Sequence, residues 1–180
     1  MKAIITFLIL TMSLHSVAQD KMTTDRTDTL EKIQDMIRKD GLVSTRFVGF
    51  AGAPSSQWHR VAYLMSMATP EELQDMTNDS SPALQLAAYA GMLQCKHPGT
   101  SEVRKRLLRD NDIVSTIAGC IVSDIAVQDI VKQINSWYDP LALEQEIQRL
   151  QSDPAYRMEQ FERIRKNDMS DTAKPKQAEN

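Results

Sequence analysis

The chain has 180 residues, of which 42% are hydrophobic and 25% charged, and a formal net charge of −3. That length suits one domain once a leader segment is set aside. The mild acidity argues against a nucleic-acid partner, because general binding to phosphate backbones needs a basic footprint.

In chain order, the first segment, MKAIITFLILTMSLHSVAQD, reads as a signal peptide over residues 1–18. Lys2 is the positive n-region, Ala3 to Leu14 is the apolar core, and Ser16-Val17-Ala18 supplies the small residues of a cleavage site. The apolar run is too short to cross a bilayer core of roughly 30 Å. A periplasmic or secreted protein is expected, with no stable membrane insertion after cleavage. Lys2 is the only charged residue removed, so the net charge moves from −3 to −4.

Residues 19–28 are polar and read as a flexible segment. The predicted folded domain spans 29–166. A helix capped by Asp28 or Thr29 carries Leu30, Ile33, Met36 and Ile37 at helical spacing, and Gly41 fits its stop position. Residues 42–56 are rich in β-branched and aromatic side chains. A lone strand cannot satisfy its backbone, and no second strand is evident, so the stretch reads as an extended connection.

Helices with clear punctuation follow. Ser55 or Ser56 starts one with Val61, Leu64 and Met65 inward. Thr69-Pro70-Glu71-Glu72 is a capping box with proline at the first helical position. Ser81-Pro82 opens a helix that runs to Cys95 without a charge, and His97-Pro98-Gly99 closes it. Such a helix, apolar all round, belongs in a core, with Leu86, Ala87 and Ala88 fully buried. Thr100 or Ser101 caps a basic helix. Asp110 or Asp112 caps another over IVSTIAGCIV, and Asp124 starts a longer one ending at Trp137-Tyr138. Asp139-Pro140 and Asp153-Pro154 start the last two, the second with Met158, Phe161 and Ile164 inward. Residues 167–180 read as a disordered tail.

At an offset of 31, Thr69 maps on Thr100, Met76 on Leu107, and Leu86-Ala87-Ala88 on Ile117-Ala118-Gly119. This periodicity is the mark of a helical-repeat array. The stretch TPEELQDMTNDSSPALQLAAYAGML resembles a HEAT-type repeat, and AGCIVSDIAVQDIV is similar to secreted helical-repeat proteins of Bacteroidetes-type bacteria. The resemblance covers about residues 56–135. It implies scaffolding and protein binding, and carries no catalytic residues. The expected fold is all-α: a short HEAT-like α-solenoid or an irregular bundle of about eight helices.

Chemistry-bearing motifs are sparse. His59 in SSQWHRV is a candidate general base with a carboxylate, though a surface histidine at a helix start is the plainer reading. Cys95-x-His97 offers two ligands where zinc needs three or four. Nucleophile and phosphate-loop signatures are missing. No cofactor and no metal are expected. Cys95 and Cys120 either pair as a disulfide in an oxidising compartment or remain two buried thiols.

The candidate partner-binding residues are Phe47, Phe50, Trp58, Arg104 and Arg106. The three aromatics would anchor an interface if exposed and would roof the first helix pair if buried. The expected function is a non-enzymatic protein-binding module, in one version an immunity protein that neutralises a toxin. The alternatives are an envelope-associated hydrolase using His59 with a carboxylate, and a purely structural envelope component.

Overall fold

The structure is a computed structural model. It describes residues 25–172, the last four as backbone. The expected signal peptide, residues 19–24 and residues 173–180 lie outside the described residues. The chain divides into two compact units at Lys32/Ile33. Of the first, residues 25–32 are described. They are helical, and the Thr29 hydroxyl donates to the Asp25 carbonyl at 2.8 Å. The helix therefore begins within the segment expected to be flexible.

The second unit opens with α1, helical over residues 33–40. Gly41 stops it as expected. Its φ of +60° is a left-handed value that suits glycine, and its amide donates to the Ile37 carbonyl at 3.0 Å. Next come β1 (Leu42–Val48), β2 (Ala53–Pro54), α2 (Ser56–Met67), α3 (Pro70–Met76), α4 (Pro82–Gln94) and α5 (Thr100–Leu107). Then follow β3 (Ile113–Gly119), β4 (Ile121–Ala126), α6 (Val127–Lys132), α7 (Ile134–Trp137), α8 (Pro140–Ser152) and α9 (Pro154–Thr172).

The fold is therefore mixed α/β, not all-α, and neither a solenoid nor a helical bundle describes it. Among the described residues, four strands form one sheet in the order β2-β1-β3-β4. The expected connection at 42–56 holds two strands, β1 and β2, joined by a turn at 49–52. β1 pairs in parallel with β3, Leu42 opposite Ser115 and Val43 opposite Thr116. Helices α2–α5 lie between the two strands in sequence, which is why no partner is visible locally. β3 and β4 form an antiparallel hairpin with Ala118 opposite Ile121. Its two-residue loop is Gly119-Cys120. Gly119 has φ +56°, and a glycine with positive φ at the first loop position is the mark of a type II′ turn.

The stretch expected as a helix over IVSTIAGCIV is thus a hairpin. Its β-branched residues alternate in burial, with Val114 and Thr116 on the covered face and Ile113 and Ser115 exposed. The second unit of the apparent 31-residue repeat holds a helix followed by a strand, so the array ends after one helix pair. Asp124 sits within β4, and the long helix expected to start there begins at Val127. At Gln133 the backbone turns to φ −129°, ψ 33°, which separates α6 from α7.

The expected caps at Ser55, Thr69, Ser81, Asp139 and Asp153 form. The Ser55 side chain accepts from the Trp58 amide at 3.2 Å. The Thr69 box closes both ways, with Glu72 N–H to Thr69 Oγ1 at 3.2 Å and Thr69 N–H to Glu72 Oε2 at 2.8 Å. Asp139 accepts from the amides of Leu141 and Ala142. The exceptions are α6, which follows Ala126 without a side-chain cap, and α5. Its cap is Gly99, without a side-chain bond, and Thr100 Oγ1 donates to the His97 carbonyl instead. Helix α9 runs to Thr172, through part of the expected tail, and Met158 lies outward at 70% exposure.

Helix α4 is the centre of the core. It packs against α2, α3, α5 and α6 and under β1 and β3. Leu86, Ala87 and Ala88 are all at 0% exposure, as expected. Gly91 allows α3 to come close: a Cβ there would lie 2.9 Å from a Leu73 methyl.

Candidate functional site

Two places gather functional side chains. The first is one end of the sheet. Val48 is opposite Gly119, and the Gly49 amide donates to the Gly119 carbonyl at 2.8 Å. This ties the β1–β2 turn to the tip of the β3–β4 hairpin. Phe47 (50% exposed), Phe50 (101%), Ile121 (68%) and Val122 (70%) stand open there. Gly49 (φ +74°) and Gly52 (φ +63°) shape the turn that projects Phe50. Phe47 and Phe50 are thus exposed, against the reading that had them roofing the first helix pair.

Trp58 is not part of this surface. It is fully buried in α2, so it cannot serve as an exposed anchor. The Arg46 guanidinium lies 5.3 Å from the ring centres of both Phe47 and Trp58. It forms a cation–π link between the open rim and the core.

Arg104 is exposed on α5. Arg106 is committed elsewhere: its Nη2 donates to the Thr77 carbonyl at 2.6 Å and to Thr77 Oγ1 at 2.9 Å, which closes the C-terminal end of α3. Neither arginine lies in the elements that form the sheet-end rim. The five candidates therefore separate into an accessible pair (Phe47, Phe50), a buried tryptophan and two arginines elsewhere.

The second place surrounds His59. Its Nδ1 is 3.6 Å from Glu146 Oε1 on α8, and the two side chains are only 12% and 8% exposed. Tyr156 on α9 donates its hydroxyl to the same oxygen at 2.8 Å. The Trp58 and His59 rings meet edge to face at 5.3 Å, and the Arg149 guanidinium lies 3.7 Å over the Tyr156 ring. His59 holds the Glu146 carboxyl below its ordinary range, against the opposing effect of burial, and Tyr156 and Arg149 reinforce it. Burial and the neighbouring carboxylate push the Tyr156 hydroxyl up. A histidine does meet a carboxylate, but nearly out of reach of solvent.

Cys95 and Cys120 are free thiols and both exposed, one at the end of α4 and one at the hairpin tip. They are neither bonded nor buried. His97 Nδ1 accepts from the Gly99 amide at 3.1 Å and so fixes the turn after α4. Among the described residues no three His, Cys, Asp or Glu side chains gather as a metal site would require.

Ile121 and Val122 were missed as site residues. The signal was present as two β-branched runs separated by Gly119-Cys120. Glu146 and Tyr156 had no such signal, since nothing local links α8 and α9 to His59. Comparison with protein-family models, with curated proteins and with solved structures finds no match.

Proposed function

We propose that this chain is a non-enzymatic protein-binding module of the periplasm or of the secreted fraction, acting as an inhibitor of the immunity type. The observation that carries the reading is the open apolar rim, above all Phe50. A phenylalanine exposed in full, beside Phe47 and two β-branched residues, gains nothing from folding and has the character of an interface anchor. The rim lies on a glycine-shaped turn braced by a hairpin, so it is presented rather than loose. The test is affinity capture from envelope extracts with the full chain and with Phe50→Ser, followed by direct titration of the captured protein. A partner encoded beside this chain, bound about tenfold or more weaker by the variant, is the expected result. Equal binding by both proteins overturns the reading.

The pair His59–Glu146 supports the second reading, a hydrolase. A carboxylate that orients a histidine is part of general-base machinery. The near-complete covering of both groups favours a structural pair instead. His59→Gln with unchanged partner binding and lowered stability fits the structural role. Hydrolysis of a cell-wall or sugar substrate by the full chain, lost in that variant, would establish the enzyme.

A further inference from the structure

The outer edge of β4 is an open strand edge. β4 ends the sheet order, and among the described residues no other element bonds to the backbone on its far side. Six residues in extended form give an edge of about 20 Å. Natural edges of this length are usually blunted by lysine, proline, a bulge or a covering segment. The strand IVSDIA has neither lysine nor proline, and its one charge is Asp124.

That charge discriminates between occupants. In an antiparallel pair with a second copy, matching faces require the two-fold axis to pass through a residue. An axis at Asp124 sets the two Asp124 carboxylates directly opposite. An axis at Ser123 or at Ile125 sets them diagonally on the same face, about 7–8 Å apart. Each of these registers brings like charges together on an exposed edge. Asp124 bonds to Ser115 Oγ at 2.7 Å and has no cation beside it among the described residues. At the hairpin tip Ile121 and Val122 are open and apolar.

We propose that the outer edge of β4 takes an extended cationic segment of a partner protein as a fifth strand. Lys or Arg lies on the face that carries Asp124 and Val122, and apolar side chains lie beside Ile121 and Ile125 on the other face. Main-chain hydrogen bonds supply the affinity, and the charge at Asp124 supplies the choice of partner and disfavours self-pairing. The proposal rests on the binding-module reading and gives the partner's chemistry.

The probe is a synthetic peptide of alternating valine and lysine, set against its valine–glutamate counterpart. Each is titrated into the isotope-labelled full chain at low salt. The lysine peptide is expected to shift the amides of Ile121–Ala126, slow their exchange, and bind about tenfold more tightly than the glutamate peptide. Asp124→Lys should reverse that order. Asp124→Asn, which keeps an acceptor for Ser115, should level it. Shifts confined to another surface, an unchanged preference in Asp124→Lys, or a concentration-dependent dimer through β4 would each overturn the proposal. Should the Asp124 variants leave an identified partner's affinity intact while Phe50→Ser removes it, the binding module stands and the fifth strand falls.

Discussion

Arg60 is a buried arginine among the described residues. It is 1% exposed on α2, and its guanidinium bonds to the Asp40 carboxylate at the end of α1. A buried ion pair gains little over a well-packed apolar pair, but removing the carboxylate leaves a buried guanidinium without its counter-charge. Asp40→Ala is therefore expected to cost about 3–5 kcal/mol, read as a lower urea midpoint. A cost under about 1 kcal/mol would mean that the pair behaves as a surface contact.

Asp79 works by the same logic on a milder scale. Burial alone would raise its pKa, but two bonds from Arg38 and one from the Ser81 amide bring it below the ordinary value. Glu146 gives a pH signature. Its folded pKa lies below the unfolded one, with His59 as the main cause, so the native state binds fewer protons. Its stabilisation is complete above the unfolded value of about 4.3 and is lost as pH falls through the lower folded value. Glu146→Gln should flatten this part of the acid limb in urea titrations at stepped pH. An unchanged limb would show that the pairing with His59 and Tyr156 contributes nothing.

At the scale of elements, α4 explains itself from its sequence. Fourteen positions from Pro82 to Cys95 carry no charge, and the structure surrounds the helix with four other helices and two strands. Ala88→Asp places an ionised group at a site with 0% exposure and no partner. The cost should exceed about 4 kcal/mol and remove the cooperative thermal transition. A variant that melts like the parent would contradict the packing described.

The helix caps were legible for a related reason. Ser55, Thr69, Ser81 and Asp139 act on amides two or three residues away, so their meaning is local. Strand pairing is not local. The residues of β1 and β3 were visible as β-branched runs, but what turns such a run into a strand is its partner, and α2–α5 separate the two. The hairpin could have been found, since Val114, Thr116 and their neighbours alternate and Gly119 suits the turn. Plausible caps at Asp110 and Asp112 outweighed that alternation, and those carboxylates do something else: Asp110 accepts from the Asp112 amide at 2.9 Å. Of the candidate site, the exposed aromatics could be named but not sorted. The sequence gives Phe50 and Trp58 the same chemistry, and only the fold separates 101% exposure from 0%.

At the scale of the whole molecule, the parallel pairing of β1 with β3 has a consequence in time. A chain that grows from its N-terminus makes Leu42–Val48 first, and the strand that completes it only after four helices have been made. Those helices close on near neighbours and form early, whereas a distant pairing must meet the entropy of closing the loop between its ends. Pulsed hydrogen exchange during refolding should therefore protect the amides of α4 before those of Val43 and Thr116, and simultaneous protection would refute this order. Until Ile113–Gly119 arrives, the first strand carries an unmatched row of donors and acceptors that any other extended chain can claim. The molecule is thus most vulnerable to wrong association midway through its own synthesis.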